Sequence, residues 1–147
     1  MDRVSYEDWD TGTPVRDITY AYDASTRGLM KPARITSNFG DFVVVYNSYD
    51  TLGNLTQETR SIKKPSLTTF YNYIFQTTYD LLSRPTKVIT SPTLTVNYTY
   101  NETGALESVT RGVSTLTDVI SNFDYSPMGQ VESTVYGNGV TTTNTYD

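Results

Sequence analysis

A chain of 147 residues is long enough for one domain with a core of its own. It has no Cys, which excludes a disulfide framework and thiolate chemistry, and no His, which removes the commonest general base and the commonest zinc ligand. A net charge of −5, with 11 basic residues spread along the chain, excludes the clustered positive footprint of a nucleic-acid binder, and no apolar run approaches the ~20 residues of a membrane span.

Thr, Tyr and Val fill the segments between turn signals, and no stretch holds a sustained helical period, so every predicted element is a strand. Residues 1–16 read as a lead-in segment. "MDRVSYEDWD" has no apolar stretch and no cleavage signal, and Glu7, Asp8 and Asp10 around Trp9 form a small acidic cluster expected to be solvated.

From residue 17 a unit recurs, anchored on Tyr22, Tyr49, Tyr79, Tyr100, Tyr125 and Tyr146. Recurrence at 20 to 30 residues marks a repeat architecture, in which each unit stacks on its neighbours because it cannot bury its own face. In the first unit Ile18, Tyr20 and Tyr22 alternate onto one face of a strand, and Asp23 opens a turn in "YAYDASTRGL". Thr26 takes the slot that Gly fills elsewhere, with Gly28 nearby as a shifted alternative. The second unit, "YNSYDTLGNL", is the fullest copy. Asp50 can accept from a backbone N–H two residues on, Gly53 can adopt the positive φ that closes a type I turn with a bulge, and Leu55 opens the return strand. "SIKKPS", with Lys63, Lys64 and Pro65, reads as a loop inserted before the third unit.

In the third unit Phe75, Thr77 and Tyr79 form the stripe, Asp80 opens the turn, Ser83 stands in the Gly slot and Pro85 opens the return. Ser91-Pro92 marks the next connection. The fourth unit has Val96, Tyr98 and Tyr100, then Asn101, Gly104 and Leu106, and Arg111-Gly112 marks its connection. The fifth has Phe123 and Tyr125, then Gly129 and Val131. "GNGV" follows, in which Asn138-Gly139 signals a two-residue hairpin. The last strand, "VTTTNTYD", ends on Tyr146 and Asp147. The expected fold is all-β, an antiparallel meander of tandem β-hairpins with roughly ten strands at two per repeat, forming a large twisted or curled sheet.

These phrases resemble the YD-repeat, or Rhs-repeat, family, whose unit reads Tyr-Asp-x-x-Gly-Arg/Asn-Leu-Thr. "YDTLGNLTQ" matches well, "YNETGALESV" and "YDLLSRPTKV" less fully, and "VYGNGVTTTNTYD" resembles the linker between repeats in bacterial members. The resemblance covers residues 17–147, about five repeats with the last truncated. It implies a long β-ribbon that spirals into a hollow shell. In bacterial polymorphic toxins and insecticidal toxin complexes the shell encloses and delivers a C-terminal toxic domain, and in animal teneurins a similar shell serves adhesion. The self-cleaving segment of some members has no counterpart in this sequence, so cleavage is not implied. The implied partners are adjacent repeats of the same longer polypeptide and an enclosed toxin or effector domain, in a secreted or cell-surface protein. The chain is expected to be an internal slice of such a wall.

Other readings compete for the same residues. The Tyr stripe could stack on glycans, as in a cell-surface glycan- or receptor-binding module, or could pack across strands. Asp23, Asp50 and Asp80 could be calcium ligands or acid–base groups, but their place between Tyr and the turn is explained by turn chemistry. Lys63-Lys64 could meet an anionic partner or be a solvated loop. Asn54, Asn97 and Asn101 begin glycan-acceptor triplets of the kind that Thr-rich strands produce by chance. Hydroxyls abound without His, Cys or an activating motif, so no enzyme, no cofactor and no metal is expected. An open meander leaves two edge strands, and "VTTTNTYD" carries nothing to blunt pairing, so self-association through the sheet edges is expected.

Overall fold

The computed structural model describes residues 3–7, 18–26, 28–37, 41–63, 68–90 and 93–146. Asp8, Trp9, Asp10, Lys64, Pro65, Ser91, Pro92 and Asp147 lie outside the described residues. Among the described residues every regular element is a strand: β1 (Tyr6–Glu7), β2 (Ile18–Tyr22), β3 (Pro32–Ser37), β4 (Phe42–Tyr49), β5 (Leu55–Lys63), β6 (Phe70–Tyr79), β7 (Pro85–Thr90), β8 (Leu94–Tyr100), β9 (Leu106–Gly112), β10 (Leu116–Tyr125), β11 (Val131–Tyr136) and β12 (Thr141–Thr143). Their order in the sheet is the chain order, an antiparallel meander. Twelve strands stand where two per repeat gives ten. Strands β2 to β11 make the five hairpins, β1 falls inside the lead-in segment, and β12 follows the last hairpin.

Each anchoring tyrosine is the last residue of its strand: Tyr22, Tyr49, Tyr79, Tyr100 and Tyr125 end β2, β4, β6, β8 and β10. The return strands open on Pro32, Leu55, Pro85, Leu106 and Val131. A bulge precedes the tyrosine in the pairs β2–β3, β4–β5, β8–β9 and β10–β11. The residue before the tyrosine pairs two positions past the opening residue, and the tyrosine pairs with the opening residue itself.

Contacts divide the chain into two compact units, Met1–Thr77 and Thr78–Asp147. In the first, the register sets Tyr20, Ile35, Val44, Arg60 and Tyr73 in one row across five strands. Partners in an antiparallel ladder share a face, so this row and the row Phe42, Ile62 and Tyr71 make an aromatic and aliphatic face. The opposite face carries Thr19, Thr36, Val43, Ser61 and Asn72. In the second unit Val88, Val96 and Arg111 share one face, and Lys87, Asn97, Thr110 and Asp118 the other.

The core expected from the chain's length is absent among the described residues. Ala33 and Tyr49 are the buried apolar side chains, and none is wholly enclosed. Length bounds how much surface could be buried. Burial also needs a second layer, and a meander covers the edges of its strands while leaving both faces open. Tyr71 and Tyr73 are accordingly 46% and 45% exposed.

Candidate functional site: a ladder of turns and tyrosine latches

The tight turns share one construction. The backbone N–H of the residue after the tyrosine donates to the carbonyl four residues on: Asp50 to Asn54 at 2.9 Å, Asp80 to Arg84 at 3.0 Å, Asn101 to Ala105 at 2.9 Å and Ser126 to Gln130 at 2.8 Å. Inside that ring Gly53, Ser83, Gly104 and Gly129 donate to the first residue's carbonyl. All four lie in the left-handed region, at φ of 85°, 61°, 89° and 82°. This is a three-residue hairpin loop, a type I turn closed by a left-handed residue. Ser83 holds the conformation with a Cβ, at a steric cost glycine does not bear.

The first side chain of each turn occupies its inner donors. Asp50 Oδ1 accepts from the N–H of Leu52 at 2.9 Å and of Asn54 at 2.8 Å, and Oδ2 accepts from the Asn54 amide at 2.9 Å. Asp80 Oδ1 accepts from Leu82 and Arg84 in the same way, and Oδ2 accepts from Arg84 Nε at 2.7 Å. Asn101 Oδ1 and Ser126 Oγ take the corresponding bond at Ala105 and Gln130. The Asn54 amide, then the surrounding N–H groups, hold the Asp50 carboxyl below the ordinary carboxylate range. The Arg84 N–H, then its guanidinium, do the same for Asp80. For Asp23 the cause is the Arg3 guanidinium. These carboxylates sit on separate turns, and among the described residues no three His, Cys, Asp or Glu side chains are grouped to hold a metal ion.

The first turn departs from the expected pattern. Thr26 does not fill the glycine slot, and Gly28 is not the left-handed residue. Asp23 N–H closes on Lys31 O at 3.1 Å, the left-handed residue before that carbonyl is Met30 at φ 61°, and Asp23 is itself left-handed at φ 64°. Residues 24–27 are an insertion, and Thr26 is drawn away to β4, where it accepts from the Tyr49 N–H at 3.0 Å. Two connections on the opposite edge also differ from expectation. Asn138-Gly139 is not a two-residue turn. Tyr136 N–H donates to Val140 O at 2.8 Å around Gly137, Asn138 and Gly139, with Gly139 at φ 84°. Gly137 has to be glycine for want of space, since a Cβ there would stand 1.9 Å from Asp118 O, and that close approach pulls it into the loop. Arg111-Gly112 ends β9, and the turn is made by the next three residues.

What joins one hairpin to the next lies in the tyrosines. The Tyr49 hydroxyl donates to Pro32 O at 2.7 Å, Tyr100 to Pro85 O at 2.8 Å, Tyr125 to Leu106 O at 2.7 Å and Tyr146 to Val131 O at 2.8 Å. Each acceptor is the first residue of the preceding return strand. The phenol closes the gap where two hairpins part beside their turns. Burial pushes the Tyr49 phenol up from its usual range, so it stays a donor. A cation reinforces the joint. The Arg84 guanidinium carbon lies 4.2 Å from the Tyr100 ring centre, and Nη1 donates to Gly104 O of the next turn at 2.8 Å. Lys31 Nζ likewise lies close against the turn at Gly53.

Of the residues singled out in the sequence, Tyr22, Asp23, Tyr49, Asp50, Gly53, Tyr79, Asp80, Tyr100, Asn101, Gly104, Tyr125 and Gly129 lie at hairpin ends, Asn138 and Gly139 lie in the last connection, and Tyr146 follows β12. The latches and the cations that cross to the next turn were missed. The cations have one signal in the sequence, a Lys or Arg directly before the proline that opens a return strand, as in Lys31-Pro32 and Arg84-Pro85. A cleft of 460 Å³ beside the fourth and fifth turns is lined by Asn101, Thr103, Phe123, Asp124 and Tyr125, with one carboxylate and no nucleophile–base pair.

No protein-family model matches the sequence, and no curated protein matches it. Solved structures do. A region of the Photorhabdus luminescens Tc holotoxin pore superposes with a TM-score of 0.81 at 13% identity, over 95% of this chain and 8% of that one. TcdB2-TccC3 gives 0.80 at 14% identity, over 95% and 8%. TcdB2-TccC3 without its hypervariable C-terminal region gives 0.79 at 14% identity, over 90% and 7%. The chain thus has the fold of a short stretch of these much larger toxin chains.

Proposed function

We propose that this chain is a non-enzymatic structural segment of a YD/Rhs-type β-shell, a secreted or cell-surface wall that encapsulates and delivers a toxin or effector domain. The observation that carries the reading is the latch ladder. Tyr49, Tyr100, Tyr125 and Tyr146 each seal their strand to the preceding return strand through a hydroxyl on its opening carbonyl, and among the described residues few side chains are buried. Such a sheet gains its stability along the ribbon, as repeat proteins do. The fold shared with the Tc toxin chains, of which it spans 7 to 8%, supports the same reading. The repeat-motif residues are structural in this account, and residues 17–147 act as tandem repeats with adjacent repeats as partners. The experiment is limited proteolysis of the complete protein that contains this segment. A folded domain that stays uncut until the strand region is cleaved supports encapsulation, and a domain cut at the rate of its isolated form overturns it.

A second reading, a glycan- or receptor-binding adhesion module, draws on one observation. Phe70, Tyr71 and Tyr73 stand exposed on neighbouring positions of β6. Saturable glycan binding lost in a Tyr71→Ala/Tyr73→Ala variant with unchanged folding would favour it.

A further inference from the structure

Arg3, Lys31 and Arg84 each stand just before a latch acceptor and lie against the turn that follows the latching tyrosine. Arg84 precedes Pro85. Its guanidinium carbon lies 4.2 Å from the Tyr100 ring centre, and Nη1 donates to Gly104 O at 2.8 Å. Arg3 precedes Val4, which accepts from Tyr22, and its guanidinium carbon lies 4.6 Å from that ring centre with a bond to Asp23 at 2.8 Å. Lys31 precedes Pro32, and a Cβ on Gly53 would stand 3.2 Å from its Nζ. At the fourth hairpin the position falls to Ala105, before Leu106, which accepts from Tyr125. Asn54 and Gln130 hold the corresponding place before Leu55 and Val131 with polar side chains, and Ala105 is the one that ends at Cβ. The turn after Tyr125 is otherwise built as the turn after Tyr100. Ser126 N–H closes on Gln130 O at 2.8 Å as Asn101 N–H closes on Ala105 O at 2.9 Å, and Gly129 holds φ 82° where Gly104 holds 89°. The carbonyl that Arg84 meets at Gly104 therefore has its counterpart at Gly129. A Cβ on Gly104 would stand 3.0 Å from Arg84 Nη1, whereas one on Gly129 would meet nothing within 4 Å. The space left by the short side chain is the 460 Å³ cleft, whose lining includes Ala105, Tyr125, Gly129, Phe123, Asn101 and Asp124 and holds one acid and no base.

We propose that this cleft is a binding site for an arginine side chain of a partner polypeptide, whose guanidinium lies over the Tyr125 ring and donates to the Gly129 carbonyl, as Arg84 does at Tyr100 and Gly104. The chain's own repeats define the occupant. An arginine fits the angle between a latch tyrosine and the next turn, because its flat cation covers the ring while its edge reaches the carbonyl. Phe123, with its ring centre 6.1 Å from that of Tyr125, gives the methylenes an apolar wall. Asp124 supplies the complementary charge. One acceptor of the third turn is not repeated. Asp80 Oδ2 accepts from Arg84 Nε at 2.7 Å, whereas Asn101 has a single oxygen, already bonded to Ala105 N–H at 3.0 Å and to the Thr103 hydroxyl at 2.7 Å. The site is therefore a modest one for a single side chain. It stands on the geometry of two successive turns, whether or not the sheet forms part of a shell.

The probe is a blocked tripeptide with arginine between two alanines, titrated into isotope-labelled chain and followed by NMR at the amides of Ala105, Tyr125 and Gly129. Saturable shifts are expected, with a Kd on the order of 1 mM for one cation–π contact and one charged hydrogen bond. The citrulline tripeptide, neutral and of the same shape, should give none. The lysine tripeptide should bind several-fold more weakly, because an ammonium does not cover the ring and reach the carbonyl together. Free arginine should also bind more weakly, since its carboxylate would come beside Asp124. Asn101→Asp restores the missing acceptor and should tighten binding several-fold. Ala105→Arg fills the site from within and should abolish the shifts at Gly129 while raising the urea midpoint. Arg84→Ala should open a second site, with new shifts at Gly104. The citrulline comparison needs no variant, so it decides even where a substitution disturbs folding. No saturable shift at Gly129, an equal response to citrulline or lysine, or shifts that survive Ala105→Arg would each overturn the site. Equal or tighter binding of free arginine would overturn the polypeptide as its source. None of these outcomes bears on the protease-protection test of the wall reading.

Discussion

Between Tyr22 and Pro32 the chain takes residues 23–31 to turn, and between Tyr79 and Pro85 it takes residues 80–84. Both loops close with the same backbone bond, Asp23 to Lys31 at 3.1 Å and Asp80 to Arg84 at 3.0 Å, just after a left-handed residue. Beyond the loops the two ends agree. Tyr49 latches onto Pro32 and Tyr100 onto Pro85, and the cation before each proline reaches the glycine of the next turn. The longer loop also gains contacts of its own. Thr26 N–H donates to Asn47 O at 3.3 Å, and the Ser25 hydroxyl bonds Tyr46 O. Turn length is free to vary because loop closure costs little more for a few added residues, provided the register of the flanking strands is kept. The latch has no such freedom, since one residue of slippage turns the tyrosine to the other face.

The largest effect should come from removing a buried anchor. Tyr49→Ala loses a ring that is 7% exposed together with its latch, and should cost about 3 kcal/mol in urea unfolding. Tyr100→Ala, at a half-buried site, should cost less. Equal losses would mean that burial contributes little to the joint. Next is the glycine slot. Gly53→Val places a branched side chain at φ 85° and should destabilise by about 1–3 kcal/mol. Ser83→Gly, at φ 61°, should stabilise by up to about 1 kcal/mol by the reverse effect. A loss in that variant would place the cost of the third turn elsewhere.

Smaller and more telling are Tyr49→Phe and Tyr100→Phe. Each removes a hydroxyl from a backbone carbonyl and should cost about 1 kcal/mol. The two values should agree within error although the loops beneath the tyrosines differ. A long-loop value near zero beside an intact short-loop value would show that the insertion, through Thr26, takes over the joint.

The smallest effect is that of pH, and it separates turns by their first residue. The folded carboxyls of Asp50 and Asp80 lie below their unfolded range, because their turns' donors favour the charged form. Their contribution is fully present above the unfolded carboxylate pKa and is lost as pH falls through the lower folded value. Asn101 and Ser126 hold the same slot without titrating. Hydrogen exchange at acid pH, corrected for intrinsic rates, should therefore rise at residues 51–54 and 81–84 and stay flat at 102–105 and 128–130. A uniform rise would assign the loss to the sheet as a whole.

How far the sequence reaches depends on how far apart the interacting groups are. Tyr49 through Leu55 contains a strand end, an acceptor for the turn's donors, a residue suited to positive φ and an apolar opener. All of these act within one turn, so they could be read directly. Met30 shows the limit, because a four-residue insertion shifts the slot and leaves Thr26 in a position that spacing alone misassigns. Gly137 shows another, since its constraint comes from Asp118 on a neighbouring strand and not from the Asn-Gly pair beside it.

The sequence by itself determined that the chain would be built from strands in chain order, that the leading strands would stop at Tyr22, Tyr49, Tyr79, Tyr100 and Tyr125, and which residues would make the tight turns after Tyr49, Tyr79, Tyr100 and Tyr125, because alternation and turn chemistry act over a few neighbouring residues. The tertiary structure decided which carbonyl the hydroxyls of Tyr49, Tyr100, Tyr125 and Tyr146 meet, which turn Arg84 crosses to, and that few of the described side chains are buried. The latch partners lie 15 to 19 residues apart and become neighbours only when one hairpin settles beside the next. An alternating pattern states that a face is apolar, and only the arrangement of whole strands settles whether anything lies over it.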